Sequence, residues 1–344
     1  TTVNRRYKIA QPIVTKKISQ NSYRLILKIL SETKGKITLN IPASLSEQLI
    51  ITGQEDVIRT IIDLVKTKQI ELTGTSAYHA LLPRLPESEI KRQITLNNYI
   101  NKKILGSEIY CPDGFFPPEM AYSSKLGRVL EQLNYKWVVL SELAYKRELG
   151  RVRQDVIYVR RDKTNNNYNS YKDYNSYKID ENKPMQIFFR NDRLSNAVAL
   201  SQVKTLSEFI QLTNDQQLMT NDYAIIAIDG ETFGHHQLGQ DKLLTDILSY
   251  YKSHIVTISE IGKYIRTKRY IRPLTSCWGD SVDDLRKKIY WPRWSYPGNK
   301  IHELQWQLTN MAIKYHLPST INHPPSVFDK SLHSDQYWWA SRRP

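Results

Sequence analysis

The sequence predicts an α/β protein, built on a parallel sheet or barrel and followed by a helical C-terminal region. From residue 18 to residue 228, apolar runs of strand length alternate with segments of helical period, which is typical of parallel strands covered by helices. The run 223–228 is almost wholly apolar, as expected of a strand buried on both faces. After about Ile261 the alternation stops, and tryptophans, prolines and helical stretches such as 300–316 follow.

The individual elements follow this alternation in chain order. Strands are predicted at residues 36–41, 71–75, 137–142, 156–160, 185–189, 223–228 and 254–259, with a short stretch at 114–118. Helices are predicted at residues 22–31, 55–68, 87–105 and 123–133 from their apolar period. Residues 163–182 are polar, carry a near-duplicated Tyr-Asn-Ser-Tyr-Lys and lack either period, which predicts an inserted surface loop. The predicted division is a barrel domain over residues 1–262, which includes this loop, and a helical region over residues 263–344 that contributes to the site.

The composition is that of a globular protein, and the charge distribution does not indicate a nucleic-acid partner. The 344 residues are 40% hydrophobic and 24% charged, with a formal net charge of +15. Basic residues are spread along the chain among acidic ones, and no recognition helix, finger or RNA-binding motif accompanies them. Cys111 and Cys277 are the only cysteines, and neither has a Cys or His at the spacing of a metal finger.

Membrane and secretory signals are equally weak in this sequence. No apolar run approaches the ~20 residues needed to cross a bilayer, and the first residues lack the apolar stretch of a signal peptide. The sequence therefore predicts a cytoplasmic protein that acts neither on a membrane nor on nucleic acid, and it indicates no metal or other cofactor.

Three polar clusters follow predicted strands at the point where each strand ends. They are 78–83 (Tyr-His-Ala-Leu-Leu-Pro), 114–120 (Gly-Phe-Phe-Pro-Pro-Glu-Met) and 228–236 (Ile-Asp-Gly-Glu-Thr-Phe-Gly-His-His). Parallel α/β folds place their catalytic groups on the loops at the carboxyl ends of the strands. We therefore expect His79, Glu119 and Asp229 to lie on one face of the sheet.

Asp229 and Glu119 are the candidate catalytic carboxylates. Asp229 directly follows an apolar strand, a poor position for an ionised carboxylate without a function, and Gly230 permits a tight turn there. Glu119 follows two prolines and lies among aromatic residues that favour a raised pKa and stacking on a sugar ring. The structural alternatives are that Asp229 caps a helix whose first turn contains Glu231, and that Glu119 is an ordinary first-turn glutamate.

These clusters together resemble glycoside hydrolase family 57, and the resemblance extends over nearly the whole chain. The specific part is a Pro-Glu pair ending at Glu119, followed by Asp-x-Glu-x-Phe-Gly-His beginning at Asp229. Other matching segments are Ser22-Tyr23, 36–49, the His-Ala-Leu-Leu-Pro that begins at His79, Ser-Cys-Trp ending at Trp278, 294–302 and the Trp-Trp-Ala-Ser that begins at Trp338.

The resemblance implies a (β/α)7 barrel with a helical C-terminal region, acting on α-glucans or related α-linked sugars with retention of configuration. By position, Glu119 matches the family's nucleophile and Asp229 its acid/base. Five further residues match positions that line or brace the sugar site: His79, Glu231, His235, Trp278 and Trp294. An α-glucan or oligosaccharide is the implied partner, and no cofactor or metal is implied.

One motif of the family is missing from the expected place. The first motif is a His-containing segment that ends in Gln-Pro on the first strand, but Gln11-Pro12 has no histidine or apolar strand before it. We therefore expect an incomplete barrel without its first strand, open beside the strand at 36–41. Truncation upstream is the favoured reason, with loss of the strand as the alternative.

Two other functions remain open at this level. A metal-dependent polysaccharide deacetylase would use Asp229, His235 and His236, although adjacent histidines on regular backbone diverge and helical ligand pairs favour i and i+4. A sugar-binding relative without catalytic activity is the second alternative, because the first motif is missing. Neither the α-linkage nor the acceptor, water or sugar, is indicated by the sequence.

Overall fold

A seven-stranded sheet forms the centre of the computed structural model, which describes residues 13–160, 184–216, 222–315 and 326–341. The strands are β1 (Ile37–Asn40), β2 (Ile70–Gly74), β3 (Gly114–Phe115), β4 (Trp137–Ser141), β5 (Ile157–Arg160), β6 (Gln186–Arg190) and β7 (Lys268–Ile271). Their order is β1-β2-β3-β4-β6-β5-β7. All neighbouring pairs are parallel except β5 and β6.

Helices connect and cover these strands, as the alternating sequence pattern predicts. An N-terminal helix contains a π-helical turn (Ser19–Tyr23) and continues as α1 (Arg24–Thr33). Between the strands lie α2 (Ala43–Ile51), α3 (Glu55–Lys66), α4 (Glu87–Leu105), α5 (Ser124–Gln132), α6 (Asp192–Ala199), α7 (Leu206–Asp215), α8 (Gln240–Tyr250) and α9 (Ile258–Ile261). The C-terminal helices are α10 (Val282–Arg286), α11 (Lys300–Tyr315), α12 (Val327–Ser331) and α13 (Asp335–Trp338).

The predicted strands from 36–41 to 185–189 are confirmed, but 223–228 and 254–259 are not regular strands. In 223–228 only Ile225 forms a bridge, which is parallel and joins it to Arg190 at the end of β6. The first residues of β6, Gln186 and Ile187, pair with β5 instead. The second run leads instead into α9, whose start is fixed by a capping box between Thr257 and Glu260.

The prediction that strands end after Ile261 is wrong, because β7 pairs with β5 at residues 268–271. Its sequence, Lys-Arg-Tyr-Ile, is polar and mostly exposed, so it lacks the apolar pattern of a buried strand. The sheet therefore continues past the boundary predicted at residue 262. The predicted loop 163–182 and the dipeptide Gln11-Pro12 lie outside the described residues.

The sheet has an open edge at β1, where the sequence predicts one. Among the described residues β1 has a strand neighbour on one side only, namely β2. The start of α9 contacts side chains of β1, where Ile258 N donates to Thr38 Oγ1 over 3.0 Å and Lys36 pairs with Glu260 at 2.8 Å. Ile226, in the segment that forms no ladder, is 37% exposed.

Strands β3 and β4 pack closely together at the start of β3. A Cβ atom on Gly114 would lie 1.9 Å from the Trp137 ring, so only glycine fits at the start of β3. The Trp137 indole fills this space and donates its Nε1–H to Ser259 Oγ over 2.8 Å.

The C-terminal helices pack on the carboxyl end of the sheet and share its core. The indole of Trp306 on α11 stacks on Tyr337 at 4.0 Å and donates to the Trp294 carbonyl over 2.9 Å. Ser334 N donates to the His79 carbonyl over 3.0 Å, which ties this region to the loop after β2. Within the described residues, no helix is both long and apolar enough to cross a membrane.

Candidate active site

The polar clusters predicted from the sequence meet at the carboxyl ends of the parallel strands. His79 follows β2, Glu119 follows β3, and Asp229 follows the segment that bridges to the end of β6. Since β2, β3 and β6 are linked through parallel pairs, the three loops emerge on one side of the sheet.

The Glu119 carboxylate is held by side chains from three distant parts of the chain. Its Oε1 lies 3.0 Å from His79 Nε2, and Ser334 Oγ donates to the same oxygen over 3.4 Å. Its Oε2 accepts the indole N–H of Trp278 over 2.9 Å. The side chain is 12% exposed, so both oxygens are oriented by protein donors and one side remains accessible.

The backbone at Glu119 is strained, which an ordinary first-turn glutamate would not require. Glu119 has φ +58° and ψ +16° inside the short 3-10 turn Pro118–Met120, and Met120 and His79 also have positive φ. Left-handed backbone at non-glycine residues costs of order 1–3 kcal/mol each and clusters at functional sites. Three such residues around one carboxylate therefore favour a function for Glu119 over an ordinary first-turn position.

The pKa of Asp229 is raised, chiefly because burial in the cleft disfavours its charged form. The negative charges of Glu231 and Glu119 raise it further, while His79 and His236 oppose them. Asp229 precedes the 3-10 turn Gly230–Thr232 but makes no capping hydrogen bond with its side chain. The residue keeps an exposed surface, so a ligand can reach a carboxyl that holds its proton to higher pH than usual.

His79 forms an ion pair with Glu119 that favours the imidazolium form. Burial lowers the pKa of His79, but the hydrogen bond and negative charge of Glu119 outweigh it and raise the pKa overall. A protonated His79 would donate a charge-assisted hydrogen bond to the Glu119 carboxylate.

The turn that carries Glu231 is fastened by the N-terminal helix. Tyr23 donates its hydroxyl to the Glu231 carboxylate, and Ser22 Oγ donates to the Gly230 carbonyl over 2.7 Å. A Cβ atom on Gly234 would lie 2.2 Å from the Asn21 carbonyl oxygen, and Gly234 also has φ +88°. This close approach explains the glycine in the Phe-Gly-His-His segment.

Of the two adjacent histidines, His236 has an electrostatic effect that lowers the pKa of Asp229, and the sugar-site role implied for His235 stays a prediction. Burial, then His236 and Lys17, lower the pKa of His235, whose buried Nδ1 has no partner among the described residues. The two rings are tilted by 53° with centroids 5.1 Å apart. Among the described residues, no group of three or more His, Cys, Asp and Glu is arranged to hold a metal ion.

The predicted tryptophans occupy different places. Trp278 is half-buried and packs edge-to-face on Phe116 at 6.2 Å, so its ring borders the cleft. Trp294 is 2% exposed and lies against Gly279, which means that it braces the loop of Trp278 rather than offering a face to a sugar. The same loop is tied by Asp280, which accepts from Cys277 N over 2.8 Å and Trp291 N over 3.0 Å.

Two residues at the site, Arg190 and Ser334, were not predicted from the sequence. Tyr23 was named only within the matching Ser22-Tyr23 pair, and His236 only as a ligand of the alternative metal site. A sequence pattern cannot separate two adjacent histidines, and Ser334 lies 215 positions from Glu119 with only the nearby Trp-Trp segment as a signal.

The chain was compared with known families and structures. The sequence model of glycosyl hydrolase family 57 matches residues 4–272. The fold is similar to that of the 4-α-glucanotransferase from Thermococcus litoralis, with 16% identity and a TM-score of 0.62 over 88% of this chain and 42% of that one. No curated protein matches the chain.

Branching enzymes from two other archaea have similar folds. The family 57 branching enzyme from Thermococcus kodakaraensis is 16% identical with a TM-score of 0.59, over 88% of this chain and 74% of that one. The branching enzyme from Pyrococcus horikoshii is 14% identical with a TM-score of 0.59, over 90% of this chain and 76% of that one. At these identities the likeness concerns the fold. The chain spans less than half of the glucanotransferase.

Proposed function

The chain belongs to glycosyl hydrolase family 57, and from this premise we propose that it cleaves or transfers α-glycosidic bonds of glucans with retention of configuration. The observation that carries the proposal is the pair of Glu119, held by three donors, and Asp229, whose pKa is raised in the same cleft. A retaining glycosidase needs one carboxylate that attacks the sugar and one carboxyl group that donates a proton.

The environments of the two carboxyls support different roles for them. Glu119 accepts hydrogen bonds on both oxygens, one from an indole N–H and one from the His79 imidazole, and these stabilise a carboxylate. Asp229 lies near two negative charges and makes no capping bond, which favours its protonated form. Glu119 is therefore the proposed nucleophile and Asp229 the proposed acid/base.

In the proposed reaction Glu119 attacks the anomeric carbon while Asp229 protonates the departing glycosidic oxygen. The product is a glycosyl-enzyme, and Asp229 then removes a proton from the water or sugar hydroxyl that resolves it. Retaining enzymes hold these carboxyls roughly 5–5.5 Å apart. In this structure the negative charge of Glu119 helps to raise the pKa of Asp229, and the separation of the two carboxyls is part of the proposal.

Substrate contacts are proposed for the residues that border the cleft. Trp278 offers an aromatic edge or face beside Glu119, and Glu231 and His236 flank Asp229 with groups that bind sugar hydroxyls. His79 orients Glu119, and Trp294 braces the loop of Trp278 from behind. His235, whose Nδ1 has no partner among the described residues, is a further candidate for a sugar hydroxyl. The substrate class, α-glucan, is that named for the glucanotransferase of similar fold.

Product analysis tests this function directly. Purified protein is incubated with maltoheptaose, amylose and an α-galactoside, and the first products are followed by proton NMR before mutarotation. We expect new reducing ends or transfer products from the glucans in the α configuration, and none from the Glu119→Gln variant. Initial β products, or identical activity in wild type and Glu119→Gln, would overturn the proposal.

A further inference from the structure

Arg190 contacts the structural supports of both candidate carboxylates. It ends β6, is 4% exposed, and donates Nε–H to the Ala227 carbonyl over 2.7 Å. Its guanidinium carbon lies 5.6 Å from the Trp278 ring centroid, within the range of a cation–π contact. Ala227 lies two residues before Asp229, and Trp278 donates to Glu119.

The contact with Ala227 matters because the segment before Asp229 is not part of a strand ladder. Among residues 222–228, Ile225 makes the one bridge to β6 and packs in the core, and Tyr223 bonds to the carbonyls of Gln154 and Val156 at the far end of the segment. Nearer to Asp229, Arg190 is joined by Asn191 N, which donates to the Ile225 carbonyl over 2.8 Å, and by Ser195 Oγ, which accepts from Ala227 N over 3.1 Å. A segment with few backbone bonds depends on such side-chain contacts for its position.

Arg190 is itself fixed to the sheet. It pairs with the buried Asp192, whose Oδ2 accepts from Ser141 Oγ over 2.9 Å and from Glu142 N over 3.2 Å at the end of β4. Its remaining terminal nitrogen donates to Asn196 Oδ1 over 2.8 Å. The planar guanidinium can satisfy these acceptors and keep one face toward Trp278, which an ammonium group cannot do.

We infer that Arg190 is a positioning residue, which sets the placement of Asp229 relative to Glu119 through Ala227 and Trp278 without touching substrate. This inference rests on the proposed function. Displacing either carboxyl by about 1 Å can reduce catalysis roughly 100-fold. Substrate binding, which uses the open part of the cleft, depends less on Arg190.

The test uses two variants and a matched control. Arg190→Lys keeps the positive charge but loses the planar guanidinium and its several N–H donors. Asn196→Ala removes one exposed hydrogen-bond partner of the guanidinium, and it serves as the milder variant if Arg190→Lys does not fold. The control is Arg160→Lys, since Arg160 is also 4% exposed and paired with a carboxylate, that of Glu131. The described hydrogen bonds of Arg160 go to Tyr122, Glu131 and the Ser124 carbonyl rather than to Ala227.

Two readouts are measured for each folded protein. The first is the indole N–H resonance of Trp278 in protein labelled with 15N-tryptophan, assigned with Trp278→Phe. The second is kcat and KM for maltoheptaose. We expect a shifted resonance and a kcat lowered about 10- to 100-fold with KM changed less than about threefold in Arg190→Lys, a smaller change in Asn196→Ala, and neither effect in Arg160→Lys.

The outcomes separate this inference from the proposed function. An unshifted Trp278 resonance in both folded variants, or an equal loss of kcat in Arg160→Lys, would overturn the role of Arg190 while leaving the function standing. If the wild-type protein itself has no turnover, the proposed function fails, and the resonance alone then reports whether Arg190 positions Trp278.

Discussion

Trp278 donates its indole N–H to Oε2 of Glu119 over 2.9 Å, although the two residues lie 159 positions apart in the sequence. The backbone of the same residue also donates to the Glu119 carbonyl over 3.3 Å. A residue of the C-terminal half of the chain thus orients the carboxylate of Glu119, which lies in the turn after β3.

Replacing this donor should weaken catalysis more than binding. Trp278→Phe keeps an aromatic ring but leaves Oε2 without its partner, and a hydrogen bond to a charged group contributes about 1.5–3 kcal/mol. We expect kcat on maltoheptaose to fall roughly 10- to 100-fold. The matched control is Trp339→Phe, because Trp339 is 61% exposed and should have no effect. Equal kcat values for both variants would contradict the assigned contact.

The pH dependence should report the raised pKa of Asp229. An acid must be protonated to act, so activity falls as pH rises through the pKa of Asp229 in the folded protein. Because the negative charge of Glu231 helps to raise that pKa, Glu231→Gln should move the basic limb of the kcat/KM profile to lower pH. Asp283→Asn, which removes an exposed carboxylate, should leave it in place. A basic limb that moves to higher pH in Glu231→Gln would contradict the electrostatics.

The stability of the fold should depend on having glycine, which lacks a Cβ atom, at position 114. Gly114→Ala places a Cβ atom 1.9 Å from the Trp137 ring, and overpacking of this kind costs typically 1–3 kcal/mol and occasionally more. We expect a lower midpoint of urea denaturation. Gly262→Ala is the control, since a Cβ atom on Gly262 would lie 4.0 Å from its nearest neighbouring atom, Ile157 Cδ1, and the φ of −61° at Gly262 suits alanine. If both variants unfold at the wild-type midpoint, the tight packing of β3 on β4 is not present.

The sequence predicted the elements that have strong local patterns. Strands β1, β2, β4, β5 and β6 and the main helices were found because their apolar residues recur with period two or 3.6 or form buried runs. The antiparallel direction of β5 and the polar edge strand β7 were not predicted, and 223–228 was wrongly predicted as a regular strand, because pairing partners and not local composition decide these features.

Prediction of the site had the same limit. Glu119, Asp229 and His79 were recognisable from their places after strands, and the structure brings all three into one cleft. The partners that orient the site were not recognisable from local patterns. Ser334, Arg190 and Tyr23 contact the site residues or their supporting segments only through tertiary packing, which local sequence spacing does not indicate. Trp294 matched a motif but is buried, since a motif does not distinguish a lining residue from a bracing one.

The central claim is that Glu119 attacks the sugar and Asp229 supplies the proton, and chemical rescue with azide separates the two roles. Asp229→Ala should still form the glycosyl-enzyme from a substrate whose leaving group needs no proton, such as an α-glycosyl fluoride. Glu119→Ala should form none. Both variants must first show wild-type circular dichroism.

The decisive measurement is the anomeric configuration of the glycosyl azide, determined by NMR. Azide should react with the glycosyl-enzyme of Asp229→Ala and give the α-azide, the retained configuration, whereas in Glu119→Ala it should enter from the vacated nucleophile side and give the β-azide. Swapped anomers would reverse the two roles, and the absence of azide products from both folded variants would contradict the retaining mechanism.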